Sequence, residues 1–122
     1  NIIEQNNGCL CCSLNDNLYV LLDNLHQQKD QFDVLIIEAT GIADPSGIAE
    51  PFITHPAIKK ELKLVNTICI VDAEQIDYQL RETEEARKQV AFSDVLIINK
   101  TDLIDTTQID LVCKLLQGIN PT

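Results

Sequence analysis

Three cysteines fall within four positions, Cys9, Cys11 and Cys12, in the string "NNGCLCCSL" at 6–14. Thiolates are soft ligands that choose Zn2+, Cu+ or a related transition ion. A leucine-rich stretch with helical spacing follows at once, and the free N–H groups and positive dipole end of a helix favour the thiolate form. Three sulfurs leave one tetrahedral position open, which suits handing a metal on better than locking it into a structure. Glu4, His26 and His55 are candidate fourth ligands. Two blander readings stand beside this one. Cys9 and Cys12 form the C-x-x-C spacing of a redox pair, and cysteine can serve as a small apolar filler. Cys69 and Cys113, each alone in apolar surroundings, read as core residues.

A second group of residues points to a purine. "NKTD" places Asn99, Lys100 and Asp102 directly after an apolar run. The Asn99 amide can donate and accept at a purine edge, and the Lys100 stem can lie over the ring while its ammonium ties the loop together. The Asp102 carboxylate accepts two N–H donors, a pair that guanine presents and adenine lacks, and an unmatched buried carboxylate is costly. The bland alternative is a turn with Asp102 as a helix N-cap. A third group is "IIEATGIADP", where Glu38 can hold a Mg2+-bound water. Gly41 can let the backbone approach a terminal phosphate with no side chain in the way. Asp44 and Pro45 would then begin a mobile loop that senses the phosphate. Here the bland alternative is a turn in which Gly41 only supplies an unusual backbone angle.

These residues need strands and helices to position them. "DVLIIE" (33–38), "VNTICIVDA" (65–73) and "DVLIINK" (94–100) are short, Val- and Ile-rich and continuous, as strands covered on both faces of a parallel sheet read. Helical spacing appears in "SLNDNLYVLLDNLHQQ", with Ser13 as N-cap, in "TEEARKQVAF", with Glu84 one turn from Lys88, and in "TTQIDLVCKLLQG", closed by Gly118. Residues 45–63, with three prolines, read as a loop carrying short helices. Alternating strands and helices predict an α/β fold, a mostly parallel sheet with flanking helices. The strands deliver Glu38, Asp72, and Asn99 with Lys100 to one edge, and ligands in such sheets sit beyond the carboxyl ends of the strands.

Composition narrows the partners. The 122 residues are a one-domain length, and a formal charge of -10 argues against a nucleic-acid backbone as partner. No apolar run approaches the roughly 20 residues that cross a bilayer, and no signal peptide is visible at the start. Five cysteines without a regular framework read as reduced thiols in a cytoplasmic setting.

"NNGCLCCSL", "IIEATGIADP", "VAFSDVLIINKTDL" and the terminal "INP" together resemble the CobW-like metallochaperone GTPases, relatives of HypB and UreG, in order over essentially the whole chain. The resemblance implies a P-loop NTPase-like fold and a GTPase that delivers zinc, or cobalt in one branch, to a client metalloenzyme. By motif match it makes Cys9, Cys11 and Cys12 the ligands of Zn2+ (or Co2+). It sets Glu38 and Gly41 on the Mg2+ and γ-phosphate side, and gives Asn99, Lys100 and Asp102 the guanine of GTP. The expected partners are the client protein and a guanine nucleotide, with a homodimer also allowed, and neither a nucleic acid nor a membrane. The four glycines, Gly8, Gly41, Gly47 and Gly118, do not form the G-x-x-x-x-G-K-[ST] phosphate cradle. Residues 1–122 therefore read as part of a GTPase domain, without its Walker A segment and without the C-terminal domain, and the chain alone is expected to bind GTP poorly. Rival readings are a thiol oxidoreductase using Cys9 and Cys12, and a non-catalytic binding fragment.

Overall fold

The computed structural model describes residues 14–41 and 43–121, in two compact units divided after Leu64. Glu4, Cys9, Cys11, Cys12 and the Ser13 cap lie outside the described residues.

The first unit is built on helix α1, Leu14–His26. Leu18, Leu22 and Leu25 recur at helical spacing and are buried, forming a cluster with Phe52 and Ile58. Each such leucine contributes roughly 2 kcal/mol by leaving water. The proline-rich segment folds into α2, Pro45–Thr54, and α3, Pro56–Glu61, each with proline in its first turn, where its missing N–H costs no hydrogen bond. Asp44 caps α2, its Oδ1 accepting from the Ser46 N–H at 2.9 Å and from the Ser46 hydroxyl at 2.6 Å. Asp44 and Pro45 thus open a helix and not the mobile loop expected. Pro51 lies inside α2 with its ring fully buried, and its carbonyl still accepts from the His55 N–H at 3.1 Å.

The run at 33–38 departs from expectation. Residues 34–40 take no part in a strand ladder, and their faces alternate. Leu35 and Ile37 pack against the α1 cluster while Val34 and Ile36 are 73% and 85% exposed. A ladder needs a neighbouring strand to receive its N–H and C=O groups. Among the described residues the only strands, those of the second unit, pair with each other.

The second unit holds those strands, β1 at Ile68–Asp72 and β2 at Val95–Asn99, paired in parallel with Ile68 opposite Val95 and Asp72 opposite Asn99. The Asp94 carboxylate accepts the Thr67 N–H at 2.7 Å, and the Asp94 N–H donates to the Thr67 carbonyl at 2.8 Å, which fixes that register at the strand starts. The crossover is made by α4, Ile76–Glu82, and α5, Glu84–Phe92, and α6, Thr106–Gln117, follows β2. Val71, Ile76, Leu80, Val90, Val112 and Leu116 form the core, with Cys69, Leu96 and Ile98 against it. Ile68, Ile70, Val95 and Ile97, on the opposite face, are exposed, so α4 to α6 cover one face where the continuous runs predicted cover on both. The predicted Glu84–Lys88 pair is present at 3.5 Å. Gly118 ends α6 as expected, though with φ -68 and ψ -20 it is right-handed, so no glycine-specific angle is used.

Just past α6, buried Asn120 donates from Nδ2 to the carbonyls of Val90 at 2.9 Å and Ser93 at 2.7 Å, tying the end of α5 to the chain beyond α6. Asn120→Ala would strand both carbonyls. Buried unsatisfied groups cost about 1 to 3 kcal/mol each, so chemical denaturation of the intact protein should show a loss of about 2 to 6 kcal/mol.

Candidate functional site

The candidate base site is built where β1 and β2 end. Asp72 closes β1, and its Oδ1 accepts the N–H groups of Glu74 at 3.0 Å and Gln75 at 3.2 Å, turning the chain toward α4. Opposite it, Asn99 closes β2, and its carbonyl accepts the Ala73 N–H at 3.0 Å. Lys100 follows with φ 58 and ψ 34, the one non-glycine residue of positive φ among the described residues. That left-handed geometry is unfavourable for a side chain with a Cβ and persists only when its surroundings fix it. Here the Lys100 N–H donates to Asn99 Oδ1 at 2.9 Å, its carbonyl accepts the Leu103 N–H at 3.1 Å, and its ammonium donates to Asp72 Oδ2 at 2.7 Å.

This geometry divides the work among the three predicted residues. The Asn99 Oδ1 accepts the Lys100 N–H, which orients the side-chain amide and leaves its Nδ2 donor and a second oxygen lone pair for a ligand. Asp102 stands exposed in the short 3-10 turn Thr101–Leu103. The cap of α6 is Asp105, which accepts the Gln108 N–H at 2.8 Å while Gln108 Oε1 accepts the Asp105 N–H at 3.0 Å, a closed capping box. Among the described residues Asp102 caps no helix, so of the turn-and-cap alternative only the turn is present.

The Lys100 ammonium holds the Asp72 carboxyl below the usual carboxylate range, burial partly opposes it, and the Glu74 and Gln75 N–H groups add to the lowering. The same hydrogen bond raises the Lys100 pKa. The lowered carboxyl contributes stability above the ordinary aspartate range and loses it as pH falls through its own lower pKa. The raised ammonium contributes below the ordinary lysine value and loses it as pH rises through its own higher pKa. The pair is therefore intact across neutral pH. Asp72 was legible as the polar end of a strand, but its partner was not. The signal that could have found it is the register that sets it opposite Asn99.

In the first unit Glu38 is exposed on the extended segment, and Gly41 follows in a turn closed by the Ala43 N–H donating to the Thr40 carbonyl at 3.0 Å. A Cβ at Gly41 would meet no atom of the described residues within 4 Å, and its φ lies outside the left-handed region. Among the described residues neither packing nor a left-handed angle accounts for a glycine there. Close approach of a ligand to bare backbone is a remaining use.

Of the candidate fourth ligands that are described, His26 ends α1, about 18 Å along the axis from Leu14 at 1.5 Å per residue. His26 Nδ1 is buried without a hydrogen-bond partner. His55 is spent as the cap of α3, Nδ1 accepting the Ile58 N–H at 3.4 Å, with its ring 5.2 Å from that of Tyr19. Among the described residues no three His, Cys, Asp or Glu side chains gather as a metal site. Burial pushes the Cys69 thiol up, which suits a protonated core residue. No helix among the described residues is long and apolar enough to cross a membrane.

Comparison with known proteins settles the family. The family described as CobW/HypB/UreG, nucleotide-binding domain, matches residues 1–122. The chain belongs to that family. Its members include close relatives of this sequence. The chain is 37% identical over 119 residues to the zinc-regulated GTPase metalloprotein activator 1 of Schizosaccharomyces pombe, covering 97% of this chain and 29% of that protein. It is 42% identical over 101 residues to the zinc chaperone YjiA of Escherichia coli, covering 80% and 32% respectively. Among solved structures, the Zn(II)-bound YjiA GTPase from E. coli superposes with a TM-score of 0.72 at 35% identity, over 87% of this chain and 33% of that one. The CobW-like chain thus has the P-loop NTPase-like α/β fold and spans about a third of the length of the relatives it matches.

Proposed function

We propose that this chain supplies the base-reading and metal-holding parts of a GTP-dependent metal chaperone, with zinc as its cargo and cobalt as the alternative. The observation that carries the reading is the turn after β2. Its strained Lys100 is fixed by three hydrogen bonds, and Asp102 is left exposed beside it with no capping duty.

In this reading the Asn99 Nδ2 donates to the purine, the Lys100 stem lies along the ring, and Asp102 accepts the two N–H donors that mark guanine. Glu38, an exposed carboxylate, would hold a water of Mg2+, which supplies charge neutralisation at the phosphates. Gly41 gives the γ-phosphate access to bare backbone. Cys9, Cys11 and Cys12 would hold the cargo as thiolates just before α1, whose N-terminal dipole end favours their ionised form. Relatives named zinc chaperone and GTPase metalloprotein activator support the same cargo and nucleotide. The cargo would pass to a client metalloenzyme when hydrolysis changes the affinity of the thiol site, a coupling that requires different metal affinity in the two nucleotide states.

The test is turnover by the intact protein with GTP and ATP in competition. GTP should be consumed with ATP left standing. Equal consumption of both would remove the base-reading role of Asp102.

A further inference from the structure

We propose that Asp72 is a positioning residue of the base site, acting through Lys100 to set the affinity for guanine. The role presupposes guanine binding at Asn99 and Asp102.

Asp72 is the last residue of β1, and the register sets it opposite Asn99, the last of β2. Its two oxygens do different work. Oδ1 turns the chain toward α4 by accepting from the Glu74 and Gln75 N–H groups, and Oδ2 receives the Lys100 ammonium at 2.7 Å across 28 positions of sequence. The carboxylate is thereby anchored in its own turn before it meets the lysine, so the lysine docks on a fixed acceptor. Lys100 needs such an acceptor. Its backbone is left-handed, and its long side chain carries more rotamer freedom than most. Without Oδ2 the stem is released to sample other rotamers, and one of the three hydrogen bonds that fix the turn is gone. Asn99 and Asp102 flank Lys100 directly, so loosening it misplaces both the purine donor and the guanine-selective acceptor. Positioning groups of this kind act on affinity because geometry near a ligand must be held closely.

The structure also supplies a clean way to separate the two duties. Asn at this position keeps a carbonyl oxygen for the Glu74 and Gln75 N–H groups, yet removes the negative charge from the lysine. Asp72→Asn in the full-length protein should weaken binding of a fluorescent GDP about tenfold, the scale of one charge-assisted hydrogen bond discounted for a half-exposed lysine. Binding of the matching ADP, which has no donor pair for Asp102 to accept, should fall less than that of GDP, and the thermal midpoint should stay within a few degrees of the parent. Lys100→Met, which leaves the Asp72 turn intact, should cause a similar loss. Adding Asp72→Asn to Lys100→Met should then cost nothing further, because the carboxylate has lost the group it acts through.

Parent-like GDP affinity in Asp72→Asn would overturn the proposal, as would full additivity of the two losses or an equal loss for ADP. If the parent protein itself shows no preference for GDP over ADP, the guanine reading fails and the proposal goes with it. That outcome is distinguishable, because it is seen in the parent before any substitution.

Discussion

Asp102→Asn is expected to lower the affinity of the intact protein for GDP roughly 100-fold and to leave its weak affinity for ADP unchanged. Guanine offers a ring N–H and an exocyclic amine side by side, and a carboxylate answers both with its two oxygens. Asparagine keeps one acceptor and turns an NH2 donor toward one of the base's donors, so one bond is lost and one contact becomes repulsive. The structure makes the substitution clean. Asp102 is exposed in its short turn, and the cap of α6 is Asp105, so the asparagine removes no helix stop and should leave the unfolding midpoint where it was. Calorimetric titration with GDP and ADP reads both affinities directly. A loss for ADP equal to that for GDP would mean that Asp102 shapes the loop and does not read the base.

Cys11→Ser is expected to weaken zinc binding by the intact protein roughly 100-fold or more, because a neutral hydroxyl replaces one of three soft anionic ligands. The substitution also separates the chaperone reading from a thiol oxidoreductase. Cys9 and Cys12 keep their C-x-x-C spacing in the variant, so a redox pair would retain its disulfide chemistry while a three-thiolate metal site would fail. Competition with a chromophoric zinc chelator measures the first property, and equilibration in a glutathione redox buffer measures the second. Unchanged zinc affinity alongside a well-defined thiol–disulfide potential would favour the redox reading.

Much of this fold was legible where local pattern and tertiary packing agree. Leu18, Leu22 and Leu25 announce α1, and the same spacing buries them. Asp72 and Asn99 were legible as strand ends because Val- and Ile-rich runs stop there. The run at 33–38 was misread because a continuous apolar stretch looks the same in both cases. It can lie inside a sheet, or it can pack alternate residues, here Leu35 and Ile37, against helices. Helix α2 was obscured by Pro51, which propensity excludes from a helix interior but which burial accommodates here. Helix α4 went unread: of its seven residues Ile76 and Leu80 alone are buried, and one such pair is too short a stripe to show a period.

The candidate base site was legible in residue types and illegible in its pairings. "NKTD" carries its chemistry in its letters, whereas the bond between Lys100 and Asp72 exists only because two strands end in register. For Gly41 the structure shows neither a Cβ position crowded by described residues nor a left-handed angle, and the roles of Glu38 and Gly41 at the phosphates remain proposals.

In the proposed function the nucleotide state governs the grip of Cys9, Cys11 and Cys12 on a metal ion. The most direct measurement is a zinc titration of the full-length protein against a competing chelator, once with a non-hydrolysable GTP analogue and Mg2+ and once with GDP and Mg2+. Zinc affinities are expected to differ by about tenfold or more between the two states, within the usual range of coupling between sites. A single zinc affinity with either nucleotide, and the same value with none, would contradict that expectation.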